Sequence, residues 1–171
     1  MTKNEFLDCL CEFTRETLRD LRLPVELQEE DEAPPPPRPP DVYDMGLPDF
    51  LEAEKKAPLI IHQIITAKDI QPPKSHPEST VVVRTVAGVY HPNSQEGPRA
   101  VLGIVERLRL ELLSRGWIAD RFQLDTAAGV EYLIYDKQLP PYFAGEMLTT
   151  WILPPIEREV NYYDKETEDF N

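Results

Sequence analysis

The residues of this chain with the chemistry to act as ligand, base or nucleophile are three histidines, two cysteines and one pair of glutamates. His62 stands inside the apolar run 58–67, where a buried histidine satisfied by hydrogen bonds is the expected state. His76 and His91 lie in proline loops and are expected to face solvent. Cys9 and Cys11 are two positions apart on a predicted helix, a spacing that does not bring side chains together, so no disulfide is expected there. They read as reduced, cytosolic thiols. A nucleophilic cysteine needs an adjacent base, and the sequence shows none. Glu131 and Glu146 fall on neighbouring predicted strands and come nearest to a general acid–base pair. With Arg84 and Arg107 in the same region, a solvated or salt-bridged pair is the better reading. There is no Gly-rich phosphate loop, no His-Glu-x-x-His, no Gly-x-Ser-x-Gly and no zinc spacing. The acidic runs at 26–32 and 157–169 lack the fixed oxygen spacing of a calcium loop. The expectation is a protein that is not an enzyme, with no catalytic residue, cofactor or metal.

The elements that must hold these residues are legible from spacing. Thr2 and Glu5 form a capping box, and Phe6, Leu10, Phe13, Leu18 and Leu21 follow at helical intervals. An amphipathic helix is expected from about Lys3 to Leu21, its apolar stripe buried against a sheet or a neighbouring subunit. Residues 24–57 change character. Glu26 and the acids 29–32 have no balancing base, and Pro34, Pro35, Pro36, Pro37, Pro39 and Pro40 follow, interrupted by Arg38. Such a run is expected to be extended polyproline II or disordered, an arm or linker; ten residues would reach about 30 Å. One or two helical turns are expected at 49–56.

Residues 58–67 and 80–90 read as strong strands, the second β-branched almost throughout. Pro98 opens and Gly116 closes a helix over 98–114, with Val101, Val105, Leu108 and Leu112 on one face and Leu102, Ile104 and Leu113 widening it. Residues 117–124 read as a short extended or turn segment, and 129–135 as a third strand. The fourth strand, Tyr142–Leu153, is bracketed by Pro140-Pro141 and Pro154-Pro155, which end ladder bonding. Both of its faces carry large apolar groups, so partial cover on both sides is expected. The fold class is α+β: a mostly antiparallel four-stranded sheet, with mixed pairing left open, packed by one long central helix, plus an N-terminal amphipathic helix and a proline-rich extended arm. The divisions are an N-terminal helix at 1–23, the arm at 24–57, an α+β core at 58–156 and an acidic tail at 157–171, with Val160, Tyr162, Tyr163 and Phe170 available to anchor the tail.

At 171 residues the chain is long enough to bury a real core in one domain. Its 18 prolines are about double the usual share. A formal charge of −13 argues against binding a phosphate backbone or an anionic membrane, and fits basic partners or simple solubility. With no signal peptide and no long apolar span, the expectation is a soluble intracellular protein. Tyr132, Tyr135, Tyr142, Phe143 and Trp151 crowd the last two strands; they suit either a core or a protein–protein interface.

The segments 80–90, 97–115 and 140–154 together resemble a family of small proteins from the structural gene clusters of tailed bacteriophages. The most specific part is the strand Phe143-Ala-Gly-Glu-Met-Leu-Thr-Thr-Trp151, preceded by a helix resembling Val101-Leu-Gly-Ile-Val-Glu-Arg-Leu-Arg-Leu110. The resemblance covers about residues 57–156; helix 3–21 and the proline arm are less characteristic. The family's members are tail-component or neck proteins, and the architecture is similar to the tail terminators of long-tailed, siphovirus-like phages. The motif carries no known chemistry.

That resemblance implies a hexameric ring that caps the tail tube, ends its polymerisation and joins the tail to the head-side connector. The implied partners are other copies of the chain, the major tail-tube protein and the connector or stopper protein. DNA would be a non-specific passenger through a bore whose acidic lining repels phosphate, and no membrane is involved. The implied location is the virion neck, after synthesis in the host cytoplasm. Tyr132, Tyr142, Phe143, Glu146 and Trp151 are the candidates for subunit interface or core, and the arm Pro34–Pro40 the candidate strap onto a neighbour. Two alternatives stay open: another head–tail joining protein, a stopper or tail-completion protein, and a monomeric acidic binding or inhibitor protein.

Overall fold

In the computed structural model, which describes residues 2–48 and 57–157, the proline-bracketed strand is the middle of the sheet. The helical turns expected at 49–56 and the tail from 158 onward lie outside the described residues. Among the described residues there are two helices, α1 (Lys3–Leu18) and α2 (Glu96–Arg115). The strands are β1 (Asp41–Asp44), β2 (Leu59–Ile70), β3 (Glu78–Tyr90), β4 (Trp117–Ile118), β5 (Phe122–Leu124), β6 (Val130–Ile134) and β7 (Tyr142–Leu153).

The order across the sheet is β1-β2-β3-β7-β5-β4, with β6 also on β7. β3 and β7 pair antiparallel from Ser79↔Leu153 to Tyr90↔Tyr142. The other edge of β7 is shared: β5 takes Trp151 and Ile152, and β6 takes Gly145 to Thr149. β2 lies antiparallel on β3, with a bulge between Ile64 and Thr66. The α+β class stands, but the four-stranded count does not: the sheet has seven strands and is mixed, because β1 runs parallel to β2. β4 and β5 fall within the segment 117–124 read as short extended or turn, and β1 falls in the expected arm; all three are two to four residues long, too short to show a period of two.

Helix ends follow local chemistry. Thr2 Oγ1 accepts from the Glu5 N–H at 3.2 Å and the Glu5 carboxylate accepts from Thr2 N–H at 3.4 Å, completing the capping box. α1 stops at Leu18, short of the expected Leu21. At the start of α2, Asn93 Oδ1 accepts the N–H groups of Gln95 and Glu96. Gly116 ends it at φ 69°, a left-handed conformation that glycine adopts without strain.

Both helices pack on one face of the sheet. α1 presents Phe6, Leu10, Phe13 and Leu18, and α2 presents Val101, Ile104, Val105, Leu108 and Leu112, all buried. They meet Phe143, Met147, Thr149, Trp151 and Leu153 of β7, and Val81, Val83, Ala87 and Val89 of β3. On the opposite, outer face, the alternate residues of β7 and β3 are only half-buried, apart from the exposed Glu78 and Ile152. The sheet therefore has a dry side and a partly uncovered side.

Candidate interaction surface

The titratable groups are placed by the fold for packing. His62 is buried on β2 between the two layers. Its Nε2 lies 2.8 Å from Thr14 Oγ1 on α1, and its Nδ1 lies 2.8 Å from Thr85 Oγ1 on β3. Burial pushes its pKa down to about 3, so the ring stays neutral and bridges helix to sheet. This is the satisfied core histidine that the apolar run implied. Cys11 is buried, and burial pushes its thiol up to about 11; Cys9 is half-buried, and both are free. Among the described residues no group of three histidines, cysteines or acids is gathered to hold a metal.

Glu131 and Glu146 do share the outer face. Glu131 is opposite Leu148 and Glu146 is opposite Leu133, so the two carboxylates are diagonal neighbours. Glu146 accepts from the Tyr135 hydroxyl at 2.9 Å. Burial, and then that bond, raise the Tyr135 hydroxyl above its ordinary value, so it remains the donor. The expected arginine partners bond elsewhere: Arg84 donates twice to Gln63 Oε1 and Arg107 pairs with Asp20.

The aromatic candidates divide. Trp151 has no exposed surface; its indole N–H reaches Thr149 Oγ1 at 2.9 Å and its ring lies 5.3 Å from Phe6. Phe143 is buried beneath the first turn of α2. A Cβ added at Gly97 would lie 2.2 Å from the Phe143 ring, so only glycine lets the helix come this close. Gly97→Ala is expected to cost about 1–3 kcal/mol through overpacking. Gly103→Ala, at a helical site with open space around its Cβ, should instead stabilise by about 0.5–1 kcal/mol. Urea denaturation of both variants checks the contrast.

Tyr132, 43% exposed on β6, hydrogen-bonds the Glu106 carboxylate of α2. The Arg109 guanidinium, and to a smaller extent Tyr132, hold that carboxyl below its ordinary value. Tyr142 is half-buried at the start of β7, and its hydroxyl donates to Glu26. Tyr142 and Tyr135 also line an open, mainly apolar groove of about 340 Å³, with Leu59, Ile61 and Val86 of the outer sheet face.

The arm is less detached than its composition suggests. Pro34, Pro36 and Pro37 are exposed and Pro35 half-buried, but Arg38 and Pro39 are half-buried and Pro40 is buried. Arg38 exchanges both backbone bonds with Leu23, at 3.0 Å each, and its guanidinium pairs with Asp41 at 2.9 Å. Val42 of β1 is buried beside the core. The boundary drawn at 57/58 therefore cuts through one sheet, with 41–44 on the core side.

The sequence reading missed the exposed side of α2. It grouped Leu102, Ile104 and Leu113 as a widening of the buried face. Ile104 is buried, but Leu102, Leu110 and Leu113 are exposed, and Trp117 just beyond the helix is 48% exposed. The signal was present: each step along a helix turns about 100°, so Leu102 points well away from Val101.

An α+β protein with two helices on one side of a mixed sheet is the class this architecture defines. No protein family matches the chain, and no curated protein resembles it at a significant level. Among the described residues, no helix is long and apolar enough to cross a membrane.

Proposed function

We propose that this chain is a virion structural protein of the phage neck. It forms a ring, hexameric in this reading, that caps the tail tube, stops tube growth and presents a new surface to the head-side connector. It carries out no reaction. The observation that carries the reading is an acidic subunit with large apolar side chains left uncovered on both its helical and its sheet sides, among them Leu110, Trp117, Leu133 and Leu139. Such surface on a chain of −13 suits repeated contact with copies of itself, while the remaining acids keep the assembly soluble and repel passing DNA. The resemblance of Phe143–Trp151 to neck proteins adds the location: that stretch is the central strand, so the likeness bears on the framework of the subunit.

The reading as a monomeric acidic inhibitor rests on the acids clustered at 26–32. Glu5, Asp20, Asp41, Asp69, Glu106 and Glu111 do not add to that cluster: each is held in an ion pair, and they are spread over both helices and the sheet edge.

Mass measurement of the purified protein, with and without purified tail tubes, tests the proposal. The expected result is a ring that binds one end of the tube. A protein that stays monomeric and never caps tubes overturns it. Deletion of the gene from the phage separates the two neck roles: tubes of uncontrolled length indicate a terminator, and normal-length tails that fail to join heads indicate a stopper or completion protein.

A further inference from the structure

Two runs of strand edge in this sheet have no strand beside them among the described residues. β1 lies along β2 only from Leu59 to His62, so the far half of β2 is an open edge, and Ile65 to Asp69 are all exposed. β6 pairs with β7 alone, and its other edge is open from Val130 to Ile134. Each of these runs is five residues long. An open edge presents backbone N–H and C=O groups as a template for another strand.

The ladder fixes how the two edges relate. From β2 to β6 the sheet takes three antiparallel steps, through β3 and β7. β2 and β6 therefore run in opposite directions. A second copy set alongside without being turned over brings its β6 antiparallel to the first copy's β2. Side chains follow the same ladder. Lys68 is opposite Thr80, which is opposite Ile152, on the outer face. Glu131 is opposite Leu148, also on the outer face. Both charged groups are exposed, and neither is in an ion pair among the described residues.

We propose that the open edge of β2 in one copy takes the open edge of β6 in a second copy, with Lys68 opposite Glu131. In that register Thr66 meets Leu133 on the outer face, while Ile65 meets Ile134 and Ala67 meets Tyr132 on the inner face. Asp69, already held by Lys3, falls opposite Val130. The occupant is argued from charge and register. Lysine on an edge ordinarily deters pairing, and here the matching position carries a carboxylate on the same face. A slip of one residue sets Lys68 against an inner-face position, and a slip of two sets it opposite Leu133 or Gly129. Self-pairing of either edge fails the same test: over these runs β2 has no acid on the outer face and β6 has no base, and the other edge stays open. Each copy instead gives one edge and receives one. Strand twist turns each copy against the last, and a head-to-tail contact of this kind closes into rings. This inference rests on the ring reading above and names the edges that build the ring.

Amide hydrogen exchange on the full chain reads the pairing directly, because backbone groups carry it. Sedimentation velocity over the micromolar range follows assembly in the same samples. Residues 65–69 and 130–134 are expected to become protected together as the parent assembles beyond a dimer. Charge reversal tests the register. Lys68→Glu and Glu131→Lys both change exposed side chains, with melting temperature as the check on folding, and each is expected to weaken self-association by about tenfold. The two single variants mixed in equal amounts are expected to regain the parent's affinity. So is the chain that carries both changes, because every contact then again has one charge of each sign. Lys68→Gln and Glu131→Gln serve as the second pair in case a reversal unfolds the chain.

A monomeric parent overturns the inference, as does an assembled parent in which either run still exchanges freely, or a monomer in which either run is already protected. So do folded single variants that assemble like the parent, or a mixture and a double variant no better than the singles. Tube capping is scored separately. A parent that assembles with both runs protected but ignores tubes removes the neck reading and keeps this one; a parent that rings and caps tubes with both runs open to exchange does the reverse.

Discussion

Trp151→Ala is expected to destabilise the protein by about 3–5 kcal/mol, lowering its melting temperature by roughly 6–20 °C. Trp151 joins three strands and a helix. Across the ladder it is opposite Val81 of β3 on one side and Leu124 of β5 on the other. Above it, Phe6 of α1 lies at 5.3 Å and makes an edge contact with Phe122 at 5.2 Å. Removing the indole opens a cavity at the meeting point of α1, β3, β5 and β7 and leaves the Thr149 hydroxyl without its donor. Calorimetry on the purified variant reads the effect directly. A full-strength melting transition together with lost assembly would place this residue at an interface, contrary to its complete burial.

Acid should reveal His62 before it reveals the carboxylates. Burial lowers this histidine from its ordinary 6.5 to about 3. The unfolded chain therefore takes up a proton near pH 6.5, which the folded chain refuses until near pH 3. Stability contributed by the neutral ring is complete above the unfolded value and is lost as pH falls through that window, by up to ~1.4 kcal/mol per pH unit. The carboxyls of Glu5, Asp20, Asp69 and Glu106 are all lowered by cationic partners, so their losses begin only in the ordinary carboxylate range. Between pH 6 and 5 the slope belongs mainly to His62. Relief of the net negative charge acts on any variant alike, so the difference between the parent and His62→Gln isolates the ring. Urea denaturation at pH 7, 6 and 5 should show the gap between the two proteins changing by about 2 kcal/mol. Parallel curves would mean that the histidine is protonated, or reached by water, inside the fold.

The same two residues show what a sequence can and cannot reveal. Trp151 and His62 were legible because long strands announce themselves. β7 carries its own proline brackets, and its expected bounds, Tyr142–Leu153, are those found. The long helix was legible from its apolar repeat and its closing glycine, with ends displaced by a residue or two. β1 was not, and β4 and β5 showed only as a short extended or turn segment, because two to four residues carry no period and owe their conformation to the partner strand. The candidate surface was half legible. Aromatic crowding on the last strands pointed to Tyr132 and Tyr142, which do reach the surface. Composition alone could not sort these from Phe143 and Trp151, because burial depends on which side of the strand faces α2. The exposed leucines of α2 were hidden for the opposite reason: an apolar residue on a helix is read as core unless its angle is checked.

The paired backbone bonds between Leu23 and Arg38 turn the acidic and proline run into a closed lobe with a narrow neck. A strand of chain tethered at both ends reaches only half its contour, about 20 Å for the fourteen residues 24–37 even when stiff. The lobe holds five carboxylates and no base, so more than a third of the chain's net negative charge sits on one short piece of chain. Glu26, bonded to Tyr142, is its one described side-chain tie to β7. Excision at the neck, with a short turn linking Leu23 to Arg38, would take the formal charge from −13 to −8 and leave both helices and every strand in place. Excision would thus remove more than a third of the net negative charge without removing a helix or a strand.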